Sequence, residues 1–196
     1  MRLVDEFEGG FGWQADAPER MQRTSHAVRQ GDEVWLFDVV DADGLDERVK
    51  ALGEPAGVVQ LLDRHGRDCG AVADRLGVPL HVTPRGPSAP VPTHRVMWIR
   101  GWHEVAAFVD ERVLVVGDAL GTRRYFCAPG ERLGVHPLLR PFPPRSLGQL
   151  SPERVLCGHG SGVHDAAADA LSEALRTARR RIPTWLAGSI RAWRSE

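Results

Sequence analysis

Three short stretches put side chains that can bind metal directly after apolar runs. Leu61-Leu62 leads into Asp63-Arg64-His65-Gly66-Arg67-Asp68-Cys69. Val113 to Val116 ends at Gly117-Asp118, and Val155-Leu156-Cys157 ends at Gly158-His159-Gly160. Imidazole nitrogen, carboxylate oxygen and thiolate sulfur are the ligands that zinc takes. A hydrolytic metal site needs several of them converging from separate loops, with one position left for water. Strand ends suit that purpose, because a sheet fixes the backbone while the loops shape a pocket.

The elements that must position these residues follow from periodicity and punctuation. Residues 22–29 and Glu33 to Val40 read as paired strands around the turn Gln30-Gly31-Asp32. A short helix is predicted over Leu45 to Leu52, with Asp43 or Gly44 near its start and Gly53 after its end. Gly57 to Leu62 is a short buried strand, and Asp68 to Leu76 a helix stopped by Gly77-Val78-Pro79. Leu80 to Val82, Arg95 to Arg100, Glu104 to Val109, Arg112 to Val116 and Val155 to Cys157 are further strands. Proline-rich loops cover residues 84–93 and 140–150. Asp165 to Arg181 is an amphipathic helix, apolar at Ala168, Leu171, Leu175 and Ala178, and Pro183 separates it from a shorter helix, Trp185 to Trp193. Strands in runs, interrupted by helices, suit a layered sandwich better than a regular βαβ alternation.

Composition narrows the function classes. The chain has 196 residues, 42% hydrophobic and 26% charged, which suits a globular protein with a sizeable core. A net charge of −1 provides no global field for nucleic acid or a membrane surface. The basic group Arg176, Arg179, Arg180, Arg181, Arg191 and Arg194 reads as solvated helix ends. Cys69, Cys127 and Cys157 form neither a disulfide framework nor a Cys-x-x-Cys zinc module. Met1 to Glu8 has no apolar signal core, and no run approaches the ~20 apolar residues of a spanning helix, so a cytoplasmic location is expected. A single lysine among many arginines reflects a GC-rich, bacterial-type composition.

In order and spacing, the three stretches resemble the metallo-β-lactamase-fold hydrolases, over about residues 22 to 165. That family's first motif is His-x-His-x-Asp-His, after a strand and opening a helix. Arg64-His65-Gly66-Arg67-Asp68-Cys69 occupies its place, with Arg64 and Gly66 at the first two His positions, Asp68 at the Asp and Cys69 at the last His. Gly117-Asp118 matches the strand-end carboxylate that bridges two metals, and Gly158-His159-Gly160 matches the final His. Gly101-Trp102-His103 lies where the family has a Gly-His turn, with either Trp102 or His103 at the His position. Asp38 resembles an early strand-end Asp. The resemblance implies an α+β, four-layer αβ/βα sandwich, with residues 1–196 as a single domain.

The resemblance also implies two alternative centres. In one, Asp68, Cys69, Asp118 and His159 hold one Zn or Fe ion in a mononuclear hydrolase of an ester, thioester, lactone or phosphoester. In the other, no metal is bound, and the Arg64 guanidinium neutralises Asp118 in a non-catalytic binding or regulatory protein. Arg64 and Arg67, with Arg123 or Arg124, then favour a small anionic ligand. His65 and His103 are expected just outside the ligand set on either reading. Nucleic acid and membrane are not expected partners.

Overall fold

The structure, a computed structural model, describes residues 1–14 and 22–193; the Arg191 side chain and Arg194 lie outside that description. Strands β1 (Arg2–Phe7), β2 (Gly10–Gln14), β3 (Thr24–Gln30) and β4 (Glu33–Phe37) run antiparallel in sequence order. Helix α1 (Leu45–Leu52) then returns the chain to β5 (Glu54–Gln60), which pairs parallel to β4. Helix α2 (Cys69–Leu76) leads to β6 (Leu80–Val82), parallel to β5, completing a six-stranded sheet.

The second sheet has four strands. β7 (Thr93–Ile99), β8 (Trp102–Val109) and β9 (Val113–Val116) are antiparallel neighbours. After the small β10 (Leu120–Gly121) and β11 (Gly134–Val135) ribbon, β12 (Arg154–Cys157) pairs parallel to β9. Helices α3 (Ala167–Thr177) and α4 (Ile182–Trp193) close the chain, with Pro183 in the first turn of α4, where its missing N–H costs nothing.

Three apolar clusters define the layers. Val34, Leu36 and Val58 pack outward from the first sheet onto Val49 of α1 and Val72 of α2. Trp35, Phe37 and Val59 face the other way and meet Val105, Ala107, Val115 and Leu156 between the sheets. Leu114, Val116 and Val155 pack on Leu171 and Leu175 of α3. Period-two alternation in β4 and β9 therefore serves two cores at once, giving an α+β sandwich with helix, sheet, sheet and helix layers.

The N-terminal hairpin β1–β2 was not evident from the sequence pattern. Acidic Asp5, Glu6 and Glu8 interrupt its apolar alternation, yet Asp5 is buried against His26 and His164. Among the described residues, no helix is long and apolar enough to cross a membrane.

Candidate metal centre

The C-terminal ends of β4, β5, β9 and β12 meet at one end of the sandwich. Short bridges Leu62↔Glu104 and Arg23↔His159 tie the two sheets together there. At this junction His65, Asp118 and His159 each offer one ligand atom, and the three atoms lie within 4.8 Å of one another. His65 Nε2 is 3.0 Å, and His159 Nε2 2.9 Å, from the same oxygen, Asp118 Oδ1.

The local backbone explains how His65 gets there. Asp38 follows β4 in left-handed conformation (φ 45°), and its carboxylate points across to the next loop. Asp38 Oδ1 accepts the Leu61 N–H at 2.8 Å, and Oδ2 contacts His65 Nδ1 at 2.7 Å. Arg67 is also left-handed (φ 39°), so the chain turns between His65 and α2. Such conformations cost on the order of 1–3 kcal/mol and persist where surrounding contacts over-determine them. Here the Arg67 guanidinium supplies those contacts, donating to the carbonyls of Thr24 (2.9 Å), Asp38 (2.7 Å) and Gly158 (3.3 Å).

Gly117 and Gly158 allow the two strand ends to approach. A Cβ on Gly158 would lie 2.8 Å from the Gly117 carbonyl oxygen. A Cβ on Gly117 would lie 3.2 Å from Glu104 Oε1 and 3.5 Å from Asp38 Oδ2. Glu104, fully buried, had no signal in the motif pattern. Its Oε1 accepts the Ala119 N–H at 2.9 Å and its Oε2 the Trp102 indole N–H at 2.7 Å. Burial pushes its carboxyl up to about 7. Glu104 thereby fixes the backbone immediately after Asp118.

The electrostatics are those of a strongly coupled cluster. Burial works against a charged His65, but the Asp38 charge and hydrogen bonds to Asp118 and Asp38 raise it to about 9. Burial likewise opposes ionised Asp118, yet hydrogen bonds from His159 and His65 hold it far below the usual carboxylate range. Arg64 touches the other oxygen of Asp118, Oδ2, at 3.3 Å, and lies over Trp102, 4.7 Å from the ring centroid. Phe126 stacks on His159 (5.6 Å, 23°) and closes the apolar side.

The sequence-derived ligand set is only partly gathered. Asp118 and His159 converge, but on His65 rather than on Asp68 and Cys69. Asp68 is exposed at the start of α2, and its Oδ2 accepts the Asp41 N–H at 2.9 Å. Cys69 is buried, its sulfur 3.2 Å from the Val39 N–H, and burial pushes its thiol up to about 12. A neutral thiol in that setting packs as a small apolar group. Arg67 is spent on three carbonyls, whereas Arg64 remains half-exposed at the mouth. His103 pairs with Asp63 at 3.1 Å and packs on Trp98, so Trp102 is the residue of its turn that reaches the site.

The donor set fits a single divalent ion. Two imidazoles and one carboxylate leave positions open for water or substrate. Asp38 supplies the outer partner that such a ligand histidine needs, since a carboxylate on Nδ1 directs Nε2 inward.

The chain matches no protein-family model and no curated protein. Its fold does match solved structures. A metallo-β-lactamase from Pontibacter korlensis superposes with a TM-score of 0.57 at 12% identity, covering 89% of this chain and 98% of that one. TMB-1 gives 0.58 at 10% identity, covering 90% and 97%. DIM-1 metallo-β-lactamase gives 0.55 at 13% identity, again covering 90% and 97%. At these identities the likeness is one of fold.

Proposed function

We propose that this chain, which has the metallo-β-lactamase fold, is a mononuclear metal-dependent hydrolase of an ester, thioester, lactone or phosphoester. The observation that carries the reading is the convergence of His65 Nε2, His159 Nε2 and Asp118 Oδ1, with Asp38 behind His65. Those three side chains would hold the ion, Zn or Fe. When bound, it supplies a Lewis acid and lowers the pKa of a water ligand to about 7.

The chain's own residues do the rest. Asp38 orients the His65 ring. Glu104 and Gly117 set the position of Asp118. Phe126 and Trp102 exclude water from the apolar flank. Fold alone does not assign a substrate, so the reading rests on the site.

A second reading is favoured by the Arg64–Asp118 contact at 3.3 Å. A guanidinium there neutralises the carboxylate without metal, in a non-catalytic binding protein. Metal analysis of untagged protein separates the two. The hydrolase reading expects about one zinc per chain after zinc addition and gel filtration, lost in His159→Ala. Zinc that never rises above ~0.1 per chain overturns it in favour of the second.

A further inference from the structure

We propose that the two oxygens of Asp118 divide the centre into a metal-binding half and an oxyanion-binding half, the latter built by Arg64 and His136, so that the substrate carries a phosphate or carboxylate group. The substrate assignment rests on the hydrolase reading above; the anion site itself needs no metal.

Asp118 Oδ1 is taken by His65 and His159, while Oδ2 faces Arg64. The Arg64 guanidinium uses its five N–H donors sparingly. One reaches Asp118 at 3.3 Å and another the Gly101 carbonyl at 3.4 Å, both long, and the side chain is 48% exposed. Its Cζ lies over the Trp102 indole, which restrains the side chain. A restrained, half-exposed guanidinium with unused donors receives an oxyanion through two parallel N–H bonds.

His136 packs on the same Trp102 ring, edge-on to it at 4.9 Å and 87°. It is also packed against Tyr125 (5.5 Å) and Phe126 (5.6 Å). Contacts therefore run in a closed circuit from Arg64 through Trp102, His136, Phe126, His159 and Asp118 back to Arg64. His136 is 8% exposed. Its Nδ1 accepts the Leu138 N–H at 3.2 Å, so a neutral ring carries its proton on Nε2. Burial pushes this ring down to about 4, which keeps it neutral near pH 7. Nε2 has no protein hydrogen-bond partner among the described residues. That N–H is the ring's free donor, and an oxyanion held by Arg64 would accept from it.

The test uses titration calorimetry with inorganic phosphate and, separately, acetate, on EDTA-treated and zinc-loaded protein. Wild type is expected to bind at least one of them without zinc, and the preferred one identifies the group as phosphate or carboxylate. Arg64→Ala should weaken that binding about tenfold or more, and Arg64→Lys less, because the fork is lost but the charge kept. His136→Phe should weaken it while His136→Gln, which keeps a donor, retains most of it. Circular dichroism and zinc content of Arg64→Ala should match wild type. Wild type that binds neither anion up to about 10 mM, or folded Arg64→Ala and His136→Phe that bind as wild type does, overturns the anion site. Anion binding that survives in protein unable to hold zinc overturns the hydrolase reading and leaves the anion site standing.

Discussion

At the scale of single residues, the question is which side chain of the first loop belongs to the centre. Geometry selects His65, and Cys69, the first residue of α2, packs in the core between the helices and the first sheet. Zinc titration of two variants reads this directly: His65→Ala should lose the ion, and Cys69→Ala should keep it. The reverse result would restore the ligand set implied by the sequence motif. Asp38 acts one step further out. Asp38→Asn should weaken zinc about 10- to 100-fold, the usual effect of removing an outer carboxylate from a ligand histidine. An unchanged zinc affinity in Asp38→Asn would show that the His65 ring is oriented by other means.

At the scale of elements, the site depends on β9 and β12 arriving side by side with no side chain between them. The strands pair in parallel through Cys157↔Val116, and the next residues, Gly117 and Gly158, pass at backbone contact. Gly158→Ala forces a Cβ against a carbonyl oxygen 2.8 Å away, and backbone cannot yield as a flexible side chain does. Destabilisation of about 1–3 kcal/mol is expected in urea melts, with zinc loss exceeding what unfolding explains. The loop after β12 is held from the first sheet as well. Thr24 Oγ1 donates to the Gly160 carbonyl at 2.8 Å, and the Gly162 N–H donates to Asp5 at 2.8 Å. The N-terminal hairpin is therefore part of the support of His159.

At the scale of the whole molecule, that support is an acid-sensitive tie between distant parts of the chain. Asp5 is buried, which alone raises its pKa. Its interaction with His26, 3.6 Å away, then the His164 and Gly162 hydrogen bonds, bring the net shift below the ordinary 3.8. A depressed folded pKa means that the unfolded chain binds the proton first. The stabilisation is present in full above about pH 4 and is lost as pH falls through the folded value. Wild type should therefore lose stability on acidification below pH 4 more steeply than Asp5→Asn, measured by thermal melts from pH 5 to pH 2. Parallel curves would remove Asp5 from this role. Between the sheets, Phe37→Ala should cost about 3–5 kcal/mol, since the ring is fully buried among residues from both sheets.

Much of this architecture is legible in the sequence because it rests on local periodicity. The α1 span over Leu45–Leu52, the Gly77 stop of α2, the short β6 and the β7–β8–β9 run follow from apolar spacing and glycine or proline punctuation. Asp118 and His159 are legible too, because each stands one glycine beyond a short apolar strand whose end fixes its direction. The hairpin β1–β2 is not, since its buried carboxylate contradicts the pattern until His26 and His164 arrive from elsewhere in the chain. Nor is the register of the first loop. From sequence, the start of α2 sets the alignment and puts Arg64, Gly66, Asp68 and Cys69 at the motif positions. In three dimensions the left-handed turn at Arg67 lies between β5 and α2, and Asp38 and Asp118 draw in His65. One residue of register in this loop decides which side chain faces the centre. Residue order alone determined the layers and two of the three side chains that converge at the centre; the third was decided by long-range contacts, because only they fix the backbone of a loop that has no regular repeat of its own.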